Sequence, residues 1–384
     1  MKILSVLEEG KLSGPQIYLA NLVSGYDKSD DIDNVIIFPI ANSERFKDLI
    51  TYRSIEYVRL PITRITKEIL VALRYILAFW LEIVILRNQF KKQKPDLVYV
   101  AGGSWQFKGV IAAKLASFPV IWHLNDTGMP RFIRFVFGFL SKYSDGFVFA
   151  SERSKSYYGP LIRSYGPQFV IPSSVDTEWF NPNLDFSLVI KKARVDACLD
   201  HIVIGMVANI SRVKGLETFI RMAAEANVNQ KNLKFVVVGP IFPNQQNYYD
   251  SLCDLASELG VTNIEFVGGH EDVRPLLKRF DIYVCSSNAE SSPISVWEAM
   301  AMELPIVSTD VGDVPLYVKE GKTGYIVPVG DHEALAGFVC KLSADEALRE
   351  RLGKSGRVKV SEELDIKACV EKHLEAYHTV LGEN

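Results

Sequence analysis

The feature that most constrains the fold is an alternation of short apolar runs with amphipathic segments of about a dozen residues. The apolar runs are rich in β-branched residues and are too short for helices, and the segments between them have helical spacing. This alternation is typical of βα units whose strands form a parallel sheet. It occurs twice along the chain, which predicts an α/β fold with two doubly wound domains facing a cleft.

The predicted strands fall into two sets separated by a polar segment. The first set is KILSVL, NVIIFPI, IEYVRL, DLVYVAG, PVIWHL and DGFVFAS, and the second is HIVIGMVA, KFVVVG, IEFVGG, DIYVCSS, PIVST and GYIVP. Between them, FVIPSSVDTEWFNPN (169–183) is rich in Pro, Ser and Asn, which indicates a linker. We therefore expect one domain over residues 1–174 and a second over 175–363.

Composition indicates a globular chain in a reducing compartment. The 384 residues are 48% hydrophobic and 23% charged, which suits two packed domains. Five cysteines are scattered without a CxxC pair, which favours reduced thiols over a disulfide framework or a zinc site. The apolar run at the N-terminus is too short for a signal peptide. We expect a cytoplasmic protein.

The two halves of the chain differ in charge. Residues 1–174 contain 22 lysines and arginines against 15 acids, a net charge of +7, whereas the remainder contains 21 against 31, a net charge of −10. This asymmetry lacks the concentrated basic stripe of a nucleic-acid binder, so we expect no nucleic-acid partner. The basic half suits an anionic membrane or a phosphorylated lipid.

The segment AESSPISVWEAMA (289–301) places two acids beside a predicted helix start, directly after the strand DIYVCSS. We expect Ser292 to cap this helix and Pro293 to be its first residue. The free N–H groups of Ile294 and Ser295 would then suit a phosphate or sugar oxygen. Glu290 and Glu298 would accept hydrogen bonds from sugar hydroxyls, although such acids alone are more often structural than functional.

A second segment, VANISRVKGLETF (207–219), has a strand followed by a turn with Lys214 at the start of the next helix and Arg212 nearby. A lysine at the end of a strand can reach a diphosphate as a mobile point charge. In isolation, solvated cations on a turn would be the ordinary interpretation.

From Glu298 to Pro328 the sequence resembles the nucleotide-sugar-binding domain of the retaining GT-B glycosyltransferases of the group 1, or family four, type. Glu290 and Glu298 are similar to the Glu-x7-Glu pair of that family, and FVIPSSVDTEWFNP resembles its interdomain segment, with Ser174 where Gly is usual. KLSGPQIYLANL (11–22) resembles the family's glycine loop, and PVIWHLND carries His123 at its active-site histidine position. The resemblance is strong in the second half and weaker in the first.

The resemblance implies two Rossmann-like domains, of which 1–174 binds the acceptor and 175–363 binds the nucleotide-sugar donor. The last helical segment, within 364–384, would return to complete the first domain. Implied catalytic residues are His123, Glu290 and Lys214. Implied donor-binding residues are Gly14, Asn209, Arg212, Lys214, Val267, Gly268, Pro293, Ile294, Ser295 and Glu298.

The resemblance further implies transfer with retention of the anomeric configuration, in which a phosphate oxygen of the donor takes the acceptor's proton and no protein nucleophile is assigned. The product would be a cell-surface polysaccharide or a glycolipid. One departure is Asn209, which stands where the family often has Arg. Arg212 would supply the missing charge, or Asn209 would hydrogen-bond a phosphate without neutralising it.

We expect neither a cofactor nor a metal. Asp31 and Asp33 mimic a metal-binding DxD motif, but they precede their strand, at the end opposite to that used by ligands in such folds. The histidines other than His123 lack metal-ligand spacing.

Two apolar segments bear on membrane contact. ILVALRYILAFWLEIVIL (69–86) approaches spanning length, but Arg74 and Glu82 interrupt it, which favours a buried core helix. PRFIRFVFGFLSK (130–142) is basic and rich in Phe, and we expect a half-buried helix. The acceptor is then a sugar or a lipid-linked molecule, and the protein would lie in the cytoplasm, at the inner face of the membrane.

Other classes remain open at this level. A dinucleotide dehydrogenase is disfavoured because EEGKLSG, after the first strand, contains no GxGxxG. A nucleotide-sugar epimerase of related fold and a catalytically silent nucleotide-sugar-binding protein stay as alternatives. Asn209 favours the silent binder, whereas the joint presence of His123, Lys214, Glu290 and Glu298 disfavours it. The sequence leaves open the base, the donor sugar, the acceptor and the oligomeric state.

Overall fold

The chain forms two compact units, each with its own parallel sheet. Unit 1 comprises Met1–Ser174 with Ile366–Asn384, and unit 2 comprises Val175–Asp365. The structure is a computed structural model that describes residues 1–26, 31–64, 69–186 and 201–382. Cys198, one of the five cysteines, lies outside the described residues.

Unit 1 contains a seven-stranded sheet in the order β3-β2-β1-β4-β5-β6-β7. Its strands are β1 (Lys2–Val6), β2 (Asp33–Pro39), β3 (Glu56–Leu60), β4 (Leu97–Val100), β5 (Val120–Leu124), β6 (Gly146–Phe149) and β7 (Gln168–Val170). The six strands predicted for the first half are all present. β7 was not predicted, because its residues open the segment that we expected to be a linker; Phe169 instead pairs with Val148 in parallel register.

Unit 2 contains a six-stranded sheet in the order β10-β9-β8-β11-β12-β13. Its strands are β8 (Ile202–Val207), β9 (Leu233–Val238), β10 (Ile264–Gly268), β11 (Ile282–Cys285), β12 (Ile306–Thr309) and β13 (Gly324–Val327). Every neighbouring pair in both sheets is parallel, so the carboxyl ends of the strands in each unit lie at one edge. That edge is where doubly wound sheets bind ligands.

Helices connect the strands in both units. They are α1 (Gly14–Ser24), α2 (Glu44–Tyr52), α3 (Ile69–Gln93), α4 (Phe107–Ala116), α5 (Arg131–Leu140), α6 (Glu152–Tyr158), α7 (Leu216–Asn229), α8 (Gln246–Glu258), α9 (Arg274–Leu277), α10 (Ile294–Ala301), α11 (Val314–Tyr317), α12 (His332–Ser343), α13 (Glu346–Glu363) and α14 (Ile366–Leu381). The last of these belongs to unit 1, where it packs against α1.

The sheet of unit 1 has different helices on its two faces. Side chains alternate between faces along a strand. In β5, Trp122 points into a core that contains Phe90 of α3, Val110 of α4 and Phe137 of α5. The neighbouring His123 points the opposite way, towards Tyr18 of α1. Thus α3, α4 and α5 share one face, and α1 lies on the other.

The structure corrects the expectation that 69–86 is a buried core helix. One side of α3 does pack on the core, where Ile83 and Leu86 are fully buried. The other side is open, with Leu77 76% exposed and Trp80 67% exposed. The sequence is apolar on both sides of this helix, and so it gave no sign that one side is uncovered. No helix in the described part of the chain is long and apolar enough to span a membrane.

A charged cluster is buried between α3, α4 and the segment that follows β1. Lys108 Nζ lies 2.5 Å from Glu82 Oε2 and 3.5 Å from Glu8 Oε2, and it sits 4.2 Å from the ring centre of Tyr75. Glu8 also accepts hydrogen bonds from the backbone N–H groups of Lys108 and Gly109. Burial raises the pKa of Glu8, and the attraction of Lys108 opposes this. Glu82, which sequence reasoning treated only as an interruption of an apolar helix, is the main counter-ion of Lys108.

Candidate active site

The polar residues singled out in the second half of the sequence meet at the carboxyl edge of the unit 2 sheet. Asn209 follows β8, Gly268 ends β10, and Glu290 lies in the loop after β11. β11 is fully buried and β8 and β10 are partly buried, so the loops beyond the strands supply the most accessible polar groups. This is the ligand-binding edge of a parallel sheet.

Lys214 and Glu290 form the central ion pair of this edge. Lys214 Nζ lies 2.6 Å from Glu290 Oε1, and Ser287 Oγ donates to the same carboxylate oxygen at 2.7 Å. The side chains of Lys214 and Glu290 are 24% and 13% exposed, so the pair is only partly open to solvent. Burial alone would lower the pKa of Lys214, but the charge and hydrogen bond of Glu290 outweigh it and raise that pKa. The ammonium is therefore charged at neutral pH.

A tight turn positions Lys214. Residues Arg212–Lys214 form a short 3-10 helix that ends at Gly215, whose φ of +60° favours glycine. A Cβ at Gly215 would lie 2.0 Å from the carbonyl oxygen of Ser286, so the turn can pack on the loop after β11 only because this residue lacks a side chain. The amide of Asn288 donates to the carbonyl of Arg212 at 2.8 Å and fastens the same two segments.

The first turn of α10 differs from the expectation in its cap. Pro293 is the N-cap and Ile294 the first helical residue, so the prediction that Ser292 caps the helix was wrong by one position. Ser292 Oγ instead accepts a hydrogen bond from Trp297 Nε1 at 3.2 Å. The backbone N–H groups of Ile294 and Ser295 lie in the first turn, where no intrahelical acceptor is available. They remain suited to an anionic oxygen.

Glu298 lies one turn into α10, and its neighbours Trp297 and Ala299 are fully buried. Burial raises the pKa of Glu298 to about 7, with a smaller contribution from the negative charge of Asp272. A carboxyl group with this pKa changes its ionisation near neutral pH and gains stabilisation from any hydroxyl that donates to it.

The remaining residues predicted for donor binding are less enclosed. Arg212 has a side chain 78% exposed, lies 3.4 Å from Glu217, and stacks over the ring of Tyr248 at 4.7 Å. Asn209 is partly buried just beyond β8. Val267 and Gly268 are partly buried at the end of β10, and Gly268 has open space where a Cβ would point.

Unit 1 has its own pocket at the carboxyl edge of its sheet, with a volume of about 230 Å³. Its lining comes from residues after β1, β3, β4 and β5. They are Glu9, Ser13, Pro15, Gln16, Arg64, Gly102, Trp105, Asn125 and Asp126. The pocket combines an indole ring, two carboxylates, two amides and a guanidinium, which is a set that can hold a polar molecule with hydroxyl groups.

Hydrogen bonds hold the acids of this pocket in place. Asp126 accepts from Tyr158 Oη at 2.5 Å and from Ser104 Oγ at 3.1 Å. Burial raises the pKa of Asp126, and the hydroxyl of Tyr158 acts in the opposite direction. On the other side, Arg64 lies 2.5 Å from Glu9, whose side chain is 25% exposed.

The two residues predicted in unit 1 differ in their exposure to solvent. Gly14 is exposed at the first position of α1, next to the pocket residues Ser13 and Pro15. His123 is only 1% exposed and lies within β5, with its ring 4.9 Å from that of Tyr18 and 5.8 Å from that of Tyr99. Burial lowers the pKa of His123 to about 3, so the ring is neutral. Contact of this ring with a sugar stays a prediction.

The sequence interpretation missed Asn125 and Asp126, although both stand in the segment PVIWHLND that was quoted for His123. The rule that ligands bind beyond the ends of parallel strands would have found them, because β5 ends at Leu124. The same rule applies to Glu9, which follows β1. No cluster of metal-binding side chains occurs within residues 1–26, 31–64, 69–186 and 201–382.

Comparison with known proteins agrees with this arrangement. Residues 191–359 match the family model described as Glycosyl transferases group 1. The match spans most of unit 2 and includes Lys214, Glu290 and Glu298. In this part of the chain the sequence is therefore similar to the group 1 glycosyl transferases.

Curated relatives match about half of the chain. The lipopolysaccharide core biosynthesis glycosyltransferase LpsE of Rhizobium meliloti is 27% identical over 49% of this chain and 53% of its own length. The capsular polysaccharide biosynthesis glycosyltransferase CapM of Staphylococcus aureus is 29% identical over 48% of each chain. The chain thus spans about half the length of these relatives.

Solved structures match the whole fold. HepE of Anabaena in complex with UDP-glucose superposes with a TM-score of 0.84 at 20% identity, covering 98% of both chains. Sucrose-phosphate synthase of Thermosynechococcus elongatus gives a TM-score of 0.81 at 19% identity over the full length of both. The fold is therefore that of the two-domain GT-B glycosyltransferases.

Proposed function

We propose that this protein is a retaining glycosyltransferase that moves a sugar from a nucleotide-diphosphate sugar to a hydroxyl group of an acceptor. The observation that carries the proposal is the Lys214–Glu290 ion pair, built beside the open first turn of α10 at the ligand-binding edge of unit 2. The curated relatives act in the biosynthesis of lipopolysaccharide core and capsular polysaccharide. They support a role in assembling a cell-surface polysaccharide or a glycolipid.

Cleavage of a sugar–phosphate bond develops negative charge on the leaving diphosphate. Fixed donors and a cation aimed at that charge are the most effective help a protein can give. Lys214 would supply the cation, and the N–H groups of Ile294 and Ser295 would supply donors at the helix N-terminus. Because Lys214 supplies this charge, we propose that the reaction requires no metal ion.

The two glutamates would accept hydrogen bonds from the hydroxyl groups of the donor. Glu298 would accept from the ribose, and Glu290 from the transferred sugar, while Val267 and Gly268 would lie against the base. When a diphosphate competes for Lys214, Glu290 gains a free oxygen for a sugar hydroxyl. Retention would follow if a donor phosphate oxygen takes the acceptor's proton, without a protein nucleophile.

The pocket of unit 1 would bind the acceptor. Trp105 offers an indole ring, and Asn125 and Asp126 offer polar groups for sugar hydroxyls. Arg64 would suit a phosphate of a lipid-linked acceptor, although it is now paired with Glu9. We propose that the protein works in the cytoplasm, at the inner face of the membrane.

The first test is thermal unfolding of the wild type and Glu298→Ala with UDP, GDP, ADP and CMP at equal concentrations. A ligand that binds only the native state raises the melting temperature. We expect a rise with one nucleotide that is much smaller in the variant. The HepE complex supports UDP as the first nucleotide to test. No rise with any of the four would contradict donor binding.

A second measurement separates transfer from binding or epimerisation. The donor identified by thermal unfolding is incubated with an acceptor, and the anomeric configuration of the product is read by NMR. Formation of an α-linked product from an α-linked donor supports the proposal. Binding without turnover would identify a silent binder, and a changed donor sugar without transfer would identify an epimerase. Full activity in excess EDTA would support the metal-free reaction.

A further inference from the structure

One side of α3 is an apolar stripe that no part of the described chain covers. Its members recur at helical spacing and are large: Leu73, Ile76, Leu77, Trp80, Leu81 and Val84. Their exposed fractions are 51%, 65%, 76%, 67%, 64% and 45%. Single exposed apolar residues are common on proteins, whereas a continuous stripe of this length marks an interaction site.

Helix α5 repeats this arrangement. Phe132, Phe135 and Phe139 are 73%, 68% and 45% exposed, while Ile133 and Phe137 on the opposite side of the helix are buried. The expectation of a half-buried helix over 130–142 therefore describes α5 correctly, and its outer side consists largely of phenylalanine and arginine.

These helices belong to one face of unit 1. α3, α4 and α5 share a single core against the sheet, and α4 packs against both of its neighbours. Their outer sides therefore face away from the same side of the sheet. Leu115 of α4, which is 52% exposed, adds an apolar residue between the two stripes. We call the outer side of these three helices the α3–α5 face.

The charges on this face have one sign. The three helices contain a single acid, Glu82, which is buried against Lys108. Their exposed cations are Arg74, Lys91, Lys92, Lys114, Arg131 and Arg134, of which Lys114 is paired with Asp145 at 2.8 Å. An apolar surface ringed by cations is complementary to an anionic lipid surface, in which apolar side chains enter the interface and cations meet the headgroups.

We propose that the α3–α5 face docks on the surface of an anionic membrane. A second copy of the chain is a poorer occupant, because pairing this face with itself would oppose two sets of cations with no exposed acid on these helices to offset them. Docking on a membrane would bring the protein to the lipid-linked acceptor of the proposed function, and its biological role rests on that proposed function. The docking itself requires neither nucleotide nor transfer, so it can be tested independently of them.

The experiment is co-sedimentation of the full chain with vesicles. One set contains phosphatidylcholine alone, and the other contains equal parts of phosphatidylcholine and phosphatidylglycerol. We expect binding to the anionic vesicles, weakened by added salt, and little binding to the neutral ones. The double variant Leu77→Ser/Trp80→Ser should bind the anionic vesicles at least about tenfold more weakly, because two large apolar side chains are lost.

Two further variants make the outcome decisive. Tyr52→Ser removes a side chain that is 80% exposed on α2, outside the α3–α5 face, and should bind like the wild type. Arg131→Gln/Arg134→Gln leaves the apolar stripes intact. It should weaken only the electrostatic part of vesicle binding, which is the part that added salt reduces. Circular dichroism and melting temperature confirm that each variant is folded.

Absence of binding to either vesicle by the folded wild type would overturn the proposal, as would equal binding of wild type and Leu77→Ser/Trp80→Ser. A dimer of the wild type that is lost in that variant, without vesicle binding, would assign the face to a second copy instead. If the protein binds vesicles but has no affinity for nucleotides, the result would support membrane docking of the α3–α5 face and contradict the proposed transferase activity.

Discussion

Lys214 Nζ lies 2.6 Å from Glu290 Oε1, although 76 residues separate the two in sequence. The pair joins the turn before α7 to the loop after β11, and the close approach of Gly215 to Ser286 holds those segments together. The attraction of Glu290 also keeps the pKa of Lys214 raised against the effect of burial. The cation is thus charged and positioned before any ligand arrives, which is the preorganisation that electrostatic catalysis requires.

Replacing Lys214 and replacing Glu290 should affect different steps of the reaction. We expect Lys214→Gln to lower kcat by about 10²–10³, because it removes the positive charge that would stabilise the leaving diphosphate in the proposed reaction. It should also weaken nucleotide-diphosphate binding. Glu290→Gln should retain nucleotide affinity while lowering turnover of the nucleotide sugar. Steady-state kinetics and calorimetric titration with the nucleotide diphosphate measure the two effects. Equal loss of nucleotide affinity in both variants would contradict these separate roles.

Glu298 should make both stability and nucleotide binding depend on pH. Its pKa is about 7 in the folded protein and 4.5 as the ordinary value, so the folded state holds more protons between these values. Its contribution to the free energy of unfolding is therefore full below about pH 4.5 and is lost as the pH rises through about 7. Nucleotide affinity should rise over the upper part of this range, because the ionised carboxylate is the better acceptor for ribose hydroxyls.

The matched variants for this pH dependence are Glu298→Gln and Glu258→Gln, the second being an exposed acid at the end of α8. Urea unfolding across the range should show Glu298→Gln gaining stability relative to the wild type as the pH rises. Glu258→Gln controls for the loss of one negative charge. A constant difference between Glu298→Gln and the wild type at every pH would show that the raised pKa is absent.

The turn at Gly215 should tolerate no side chain. Gly215→Ala would incur the cost of a left-handed backbone, about 1–2 kcal/mol, and would also place a Cβ 2.0 Å from the Ser286 carbonyl oxygen. Gly260→Ala is the matched control, since its φ is +68° and its Cβ would meet open space. Denaturant unfolding should show the larger loss for Gly215→Ala, together with weaker nucleotide binding. Equal losses would mean that the loop after β11 can move away.

The sequence predicted the sheets well because their signal is local. Each of the twelve proposed strands is a β-branched run bounded by polar or turn residues, and each is present. β7 was missed because it has only three residues and a Pro-Ser-Ser segment begins two residues after it ends. Its formation depends on pairing with β6, which is information outside the segment itself.

Two features were less predictable: where each strand ends, and whether another element covers the outer side of a helix. The candidate pocket residues Asn125 and Asp126 were missed because they lie beyond the end of β5, whereas attention went to His123, inside that buried strand. The open side of α3 was also missed, because apolar residues on both sides of a helix ordinarily indicate full burial. The sequence specifies that α3 is apolar, but whether another element covers Trp80 depends on the arrangement of the rest of unit 1.

The unit 1 pocket should control the acceptor without affecting the donor. Trp105→Ala should raise KM for the acceptor by removing an apolar surface, and Asp126→Asn should do so by changing a partly buried hydrogen-bond acceptor. Nucleotide-induced stabilisation should be unchanged in both. Trp179→Ala, in unit 2, provides a control for loss of an indole ring. A change in nucleotide affinity without a change in KM for the acceptor would contradict the assignment of this pocket.

The buried cluster of Lys108 should be a requirement for folding rather than for chemistry. Lys108→Met would leave Glu82 and Glu8 without their cation, and breaking a buried pair in this way costs about 3–5 kcal/mol. Lys108→Met/Glu82→Gln should recover part of that loss, because it removes the nearer uncompensated charge. Denaturant unfolding of Lys108→Met, Glu82→Gln and the double variant measures the coupling free energy between Lys108 and Glu82. Additive losses would show that Lys108 and Glu82 stabilise unit 1 independently, despite the 2.5 Å between their charged atoms.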